Sequence, residues 1–401
     1  MSTTLTARST PEPDPGPPPS GSIISAFCSA RRSLWGLGVA LRIDVPAPWN
    51  QNLSVVAEAL AQIECSDDVD APASGPVAFA ALPFDTNEPG QFIVPVELHG
   101  ANSEGQRWVT VIEDSDTPGE AVSTPVLEPR EISVSSAVDP VAWCSTVEEA
   151  RARILRGDMT KVVLSRQILV DTDQPIDAAT LFNRLRGLYP DSMSYAVDGF
   201  LGASPELLVS RIGEVVRAHP MAGTTPRSGD PAIDQQAAAA LIASDKNRVE
   251  HQITIDMVHE SLLPWCSYLD AEPTPSVVAA GPVQHLATLV EGRLSQPVPS
   301  VLDLVSALHP TPAVGGWPVA PALDLIAELE PIGRGRYAGP VGWVDSRGNG
   351  AFAVGVRSAQ LTDNQASLFA GVGIVADSDP VLELEETRTK ARALLQAIVM
   401  V

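Results

Sequence analysis

The stretch Ala370-Gly-Val-Gly-Ile-Val-Ala-Asp-Ser-Asp-Pro-Val-Leu-Glu-Leu-Glu-Glu-Thr-Arg-Thr-Lys390 constrains this chain more than any other. An apolar run interrupted by Gly371 and Gly373 reads as a strand that another backbone or a ligand must approach closely. Asp379 before Pro380 then starts a helix. The carboxylate can accept from free N–H groups of the first turn, and proline at the first helical position gives up a donor that had no partner. The helix is predicted to run to about Ile398. Leu384, Ala391, Leu394, Leu395 and Ile398 recur at helical spacing as a core stripe, with Glu383, Glu386 and Lys390 as a second stripe beside it. Two carboxylates and an ammonium therefore border the buried face. By pattern alone an ordinary surface pair, Glu386 with Lys390, is the plainer reading and a metal site the sharper one.

A chain of 401 residues can hold two or three average domains or one large α/β or α+β unit. Its 49 acids against 26 bases, a formal charge of −23, argue against nucleic-acid and anionic-membrane partners. An anionic substrate would need locally placed cations. Cys28, Cys65, Cys144 and Cys266 match neither metal-finger spacing nor a disulfide framework, so reduced thiols and a cytoplasmic location are expected. Residues 1–20, rich in Pro, Ser and Thr, are expected to be a disordered tail; they lack the order of a signal peptide, and no run is apolar enough to span a membrane.

Short strand-like runs recur at Leu37 to Val45, Pro76 to Leu82, Phe92 to Leu98 and Trp108 to Glu113, separated by turn residues that suggest antiparallel connections. Asp114 to Asp139 reads as a linker or a surface loop. A helix is predicted over Ser145 to Arg156, then a strand over Lys161 to Val170. Further strands are predicted at Ser194 to Leu201, Glu206 to Arg211, Glu214 to Ala218, Gln284 to Leu294, Gly339 to Val344 and Ala351 to Leu361. Helices are predicted from Ser244 to Leu263 and from Pro318 to about Leu329, with His309 to Gly316 as a loop. Antiparallel strands with helices inserted at intervals make this α+β.

Several residues have types and positions suited to chemistry. Asn247, Glu250, His251 and Thr254 share one face of the helix from Ser244, either solvated or, with Glu383 and Glu386, a second source of hard oxygen ligands suited to Mg²⁺. Lys161 opens an apolar strand, where a lysine either snorkels to water or, if enclosed, becomes a usable base. Glu206 also opens an apolar strand; a desolvated carboxyl there would be a usable acid, an exposed one merely a strand end. Met221 to Arg227 is a glycine-centred loop able to present N–H groups and a hydroxyl to an anion, or only a turn. Arg357 is a lone cation in the run from Ala351, suited to gripping a carboxylate or to a structural ion pair.

Together these pieces resemble the chorismate-utilising enzymes, and among them the isochorismate synthases. The segments that carry the resemblance are Lys161-Val-Val-Leu-Ser-Arg166, Ser204-Pro-Glu-Leu-Leu208, Ala222-Gly-Thr224, Lys246-Asn-Arg-Val-Glu-His251, His285-Leu-Ala-Thr288, His309-Pro-Thr-Pro-Ala313, Tyr337-Ala-Gly-Pro-Val-Gly-Trp343 and Gly371 to Lys390. The resemblance implies one domain over 21–401, with a variable N-terminal part to 140, a motif-bearing catalytic part from 141, a layered antiparallel β core, outer helices and a deep central site. It implies Glu250 and Glu386 as Mg²⁺ ligands with Glu383 close by. Thr224, His285, Ala313, Arg357, Gly373 and Lys390 would bind substrate. Lys161 would be the base that activates water for attack at C2 of chorismate, and Glu206 the acid that protonates the departing C4 hydroxyl.

Amide-transferring members of the family typically carry Gln where Lys161 stands, and aminodeoxychorismate synthases can carry a nucleophilic Lys where Ala222 stands. Water is therefore the expected nucleophile, no glutamine amidotransferase subunit is expected, and a monomer is implied. Salicylate synthases share the lysine and the metal site and then eliminate pyruvate; a catalytically silent chorismate-binding protein is a third reading. Isochorismate feeds siderophore, menaquinone or salicylate synthesis, and the residues do not choose among them.

Overall fold

Runs of β-branched and small apolar residues, punctuated by Gly and Pro, dominate this chain. The computed structural model describes residues 5–20, 24–113 and 131–399, and in it these runs pair almost wholly antiparallel. Among the described residues they form a thirteen-stranded, a nine-stranded and a three-stranded sheet. The fold is α+β. The two large sheets face each other. Phe27, Leu34, Trp108, Tyr195 and Phe200 of the larger one interleave with Phe79, Val341, Trp343 and Ala353 of the other, all buried. Each large side chain so buried contributes roughly 1.5–3 kcal/mol.

One strand in from an edge of the larger sheet lies the long pair Lys161–Thr172 and Gln365–Ile374, aligned so that Val163 faces Gly373 and Ser165 faces Gly371. On its outer face Ile168, Val170 and Leu368 pack against Phe182 and Leu185 of helix Ala178–Leu188 and against Ala391, Leu394 and Ile398 of helix Pro380–Val399. The core stripe predicted for the last helix is thus buried, Leu395 only partly.

The chain passes between sheets at short corners, and these corners place the site. Phe200–Ser204 belongs to the larger sheet and Leu207–Ile212 to the nine-stranded one, leaving Pro205 and Glu206 between them. Likewise Gly350–Val354 belongs to the nine-stranded sheet and Ser358–Thr362 to the larger, leaving Gly355, Val356 and Arg357 between them. Arg357 is therefore not within a continuous strand Ala351 to Leu361, as its alternating neighbours suggest. It sits at φ +53°, a left-handed conformation sparsely used by residues other than glycine. Gly202 opposite has no side chain because the Arg357 carbonyl lies 2.6 Å from where a Cβ would stand.

Other runs expected as single strands are also broken. Leu37 to Val45 divides into Arg32–Leu37 and Leu41–Val45 at Gly38, and Phe92 to Leu98 divides at Pro95. Ser194 to Leu201 is a hairpin, Met193–Val197 with Phe200–Ser204, turned by Asp198 and Gly199 with positive φ. Gln284 to Leu294 divides into Val283–Ala287 in the three-stranded sheet and Val290–Leu294 in the nine-stranded one. The helix expected from Ser145 begins at Pro140, because the Asp139 carboxylate accepts from the N–H groups of Val141 and Ala142. Helices Ser54–Ala61, Ala178–Leu188, Pro231–Ala243 and Val301–Leu308 were not foreseen.

The disordered tail is a further correction. Thr6–Pro11 is a strand between Arg107–Glu113 and Glu64–Asp67, with Ala7 and Ser9 buried and the Ser9 hydroxyl 2.8 Å from that of Thr110. Polar composition concealed a period-2 pattern of small inward residues. Residues 1–4 of the expected tail and 114–130 of the passage Asp114 to Asp139 lie outside the described residues. Ile132–Ser136, at the end of that passage, is a strand paired with Lys161–Thr172. The N-terminal third supplies strands to both large sheets, so the two parts share one core. Among the described residues no helix is long and apolar enough to cross a membrane.

Candidate active site

Lys161, Glu206, Thr224, Asn247, Glu250, His285, Ala313, Arg357, Gly373, Glu383, Glu386 and Lys390 line one cavity of about 220 Å³. His251 and Thr254, on the same helix as Glu250, do not, and His251 Nε2 lies 2.8 Å from the Thr288 hydroxyl instead. Lys161, first residue of its strand, is only 5% exposed, and its Nζ lies 2.7 Å from Glu250 Oε1. Of the two readings open for this lysine, enclosure is the observed one. Its ion-pair partner, on the helix Asp245–Leu262, comes from a segment some ninety positions away and could not be read from local pattern. Gly373 makes the space: a Cβ there would stand 2.8 Å from Lys161 Cε and 3.5 Å from Glu250 Oε1.

Glu206 is 7% exposed at its intersheet corner. Its own N–H bonds the Ser204 hydroxyl at 3.2 Å and its carbonyl accepts from Val354 N at 3.1 Å, so backbone bonds hold the corner from both sheets. Burial pushes its carboxyl up to about 7; a hydrogen bond from the Met221 backbone and the charges of Lys161 and Arg357 offset part of that rise. Near neutrality the group therefore exists in both protonation states.

The third wall is the three-stranded sheet, where Met221–Pro226 pairs with Val283–Ala287 and a register shift falls at Gly223. Gly223 has φ +75° and packs on Asn247 of the Glu250 helix. Beside it His285 Nδ1 lies 3.1 Å from Thr224 Oγ1, and His285 Nε2 lies 2.8 Å from the Arg357 NH2. Both ring nitrogens of His285 are thus engaged by protein, while the residue lines the cavity. Burial among cations, Arg357 and Lys390, holds its pKa well below the ordinary histidine value. Arg357 itself is brought down to about 10 by burial.

Glu383, Glu386 and Lys390 project from the last helix into the same cavity. Lys390 Nζ is 2.8 Å from Glu386 Oε1 and donates to the Gly371 carbonyl at 3.0 Å. The i,i+4 pair is therefore real, yet it stands at the cavity wall and not on the outer surface. Glu250, Glu383 and Glu386 supply hard oxygen atoms of the kind Mg²⁺ takes. Among the described residues, however, no group of three or more Asp, Glu, His or Cys is close enough to hold a metal ion. Glu250 and Glu386 each lean on a lysine instead. The donor chemistry of these carboxylates is of the type that suits Mg²⁺.

Some wall residues were given no individual role from the sequence. Tyr337 and Phe369 stack with centroids 5.3 Å apart and form an apolar floor, and Val314, Val356 and Met221 add to it. Behind that floor Arg334 and Glu330 form a buried ion pair at 2.6 Å; Arg334 also donates to the carbonyls of Val163 and Val314, and Glu330 accepts from Ser165 N. Their spacing, four apart, was the available clue.

A comparison with family models matches residues 101–399 to the chorismate binding enzyme family. The chain is 35% identical to the isochorismate synthase DhbC of Bacillus subtilis over 354 residues, covering 86% of this chain and 84% of that one. It is also 35% identical to the isochorismate synthase EntC of Escherichia coli over 386 residues, covering 92% of this chain and 93% of the relative. Among solved structures, MenF, the menaquinone-specific isochorismate synthase from Escherichia coli, superposes with a TM-score of 0.83 at 24% identity, covering 98% of this chain and 94% of that chain, and shares the fold.

Proposed function

The chain belongs to the chorismate-binding enzyme family, and from that premise we propose that it is an isochorismate synthase, an isomerase acting on chorismate. One observation carries this reading: a lysine and a carboxyl of raised pKa, both buried, line the same small cavity as Arg357 and Lys390. The cations suit a dianionic substrate in a protein whose net charge is −23. Lys161 takes a proton from water as that water bonds to C2. Glu206, in its protonated form, gives a proton to the hydroxyl leaving C4, and the ring double bonds shift between the two positions. Water in and water out leave an isomer. Lys161 can act this way only while Glu250 is engaged elsewhere than at its Nζ.

Glu250 and Glu386, with Glu383 beside them, would hold a Mg²⁺ ion. When bound, it supplies positive charge for a substrate carboxylate. The carboxylates themselves would otherwise repel the substrate. Ala222 lines the cavity with a methyl group where aminodeoxychorismate synthases can carry a nucleophilic lysine, and Lys161 stands where amide-transferring relatives typically carry Gln; together these support water as the nucleophile and argue against an amidotransferase partner.

The test is product analysis. Purified protein with chorismate and Mg²⁺ should yield isochorismate, and Lys161→Ala should abolish it while Mg²⁺-dependent chorismate binding stays nearly intact. Salicylate with pyruvate as the product would assign the chain to the salicylate synthases. Binding without turnover in the unaltered protein would make it a silent chorismate-binding protein.

A further inference from the structure

Arginine has donors and no acceptor, so an Arg357 NH2 that lies 2.8 Å from His285 Nε2 can only donate to it. A ring nitrogen that accepts carries no proton. The imidazole is enclosed with two cations and is neutral, so its one proton must sit on Nδ1. Nδ1 then donates to its neighbour Thr224 Oγ1 at 3.1 Å, its proton shared with the backbone of Gly223 at the adjoining bulge, which accepts from the ring. The Thr224 hydroxyl, whose lone pair is thereby engaged, has its own proton left over. Thr224 lines the cavity.

We propose that His285 is a positioning residue, held as the Nδ1–H tautomer between Arg357 and Thr224, which compels the Thr224 hydroxyl to donate into the cavity toward a substrate oxygen. The chain of donors runs one way, from Arg357 through His285 and Thr224 to the ligand. It makes this wall of the cavity donor-only and selects an acceptor such as a carboxylate or an ether oxygen. It also fixes the guanidinium of Arg357, whose backbone already stands in a left-handed corner at φ +53°. The identity of the acceptor as an oxygen of chorismate rests on the proposed function; the tautomer does not.

Two measurements test it. In ¹⁵N NMR of the ligand-free protein, the His285 signals, identified by their loss in His285→Gln, should show a protonated Nδ1 and an unprotonated Nε2. A protonated Nε2, or a doubly protonated ring, overturns the proposal whatever the protein catalyses. In kinetics with chorismate, His285→Phe and Thr224→Val should each raise KM about tenfold with kcat changed less than about threefold, the size of one charge-assisted hydrogen bond. His285→Gln, whose amide can accept from Arg357 and donate to Thr224, should recover most of the loss. The Phe/Val double variant should be no worse than either single one; additive losses would show the two residues acting separately and would overturn the chain. If the protein yields a product other than isochorismate while the NMR pattern holds, the functional reading fails and the positioning role stands.

Discussion

Glu206→Gln separates the catalytic and the energetic consequences of one buried carboxyl. In the unfolded chain this group titrates near 4.5; in the folded chain burial places it at about 7. The folded state therefore binds more protons than the unfolded state between these values, and stability falls as pH rises through that window, staying low above it. Moving a buried carboxyl from 4.5 to about 7 corresponds to about 3 kcal/mol, at 1.36 kcal/mol per pKa unit. A neutral glutamine keeps an acceptor for the Met221 N–H and removes the titration. Relative to the unaltered protein, Glu206→Gln should thus be about 3 kcal/mol more stable at pH 8 than its own difference at pH 4, measured by urea unfolding. The same variant should lose roughly 10²–10⁴-fold in kcat, because the leaving hydroxyl has no acid. In the unaltered enzyme kcat/KM, which reports the ionisations of the free enzyme, should decline as pH rises through about 7. A stability difference that does not vary with pH, or a variant that turns chorismate over at the normal rate, would refute the assignment.

Gly373→Ala should destabilise the fold by about 1–3 kcal/mol and lower kcat at least tenfold, because the new methyl meets Lys161 Cε at 2.8 Å; Gly333→Ala, with no atom within 4 Å, is the control, and equal behaviour of the two in calorimetry would contradict the packing argument. Mg²⁺ and chorismate together should raise the melting temperature more than either alone, and excess chelator should erase both the shift and the turnover; stabilisation persisting in metal-free protein would remove the metal from the site. Glu330→Ala leaves the buried Arg334 uncompensated and should lower stability by about 3–5 kcal/mol in urea titrations, whereas a change under about 1 kcal/mol would mean that the pair is solvated.

Local chemistry made several features legible in the chain itself. The strand, turn and capped helix from Ala370 onward needed only Gly, Asp-Pro and a helical stripe, each of which acts on neighbours within a few residues. Lys161 and Glu206 were legible as odd charged residues at the heads of apolar strands, and the order of motifs tied them to a family. Where the reading failed, long-range pairing decided. Thr6–Pro11 is polar by composition and becomes a strand because Glu64–Asp67 and Arg107–Glu113 flank it. Arg357 reads as part of a strand and instead turns a corner between sheets, since only the assembled sheets show that Gly350–Val354 and Ser358–Thr362 belong to different ones.

The sequence by itself determined which functional groups are present, that Lys161 heads a strand and that Glu383, Glu386 and Lys390 share a helix, and that the chain is α+β. Tertiary structure alone decided who touches whom: Glu250 with Lys161, Arg357 with His285, and a raised pKa for Glu206. The physical reason is range. Propensity and capping are set within one or two turns of backbone, whereas desolvation and charge pairing depend on atoms brought together from segments distant in the chain.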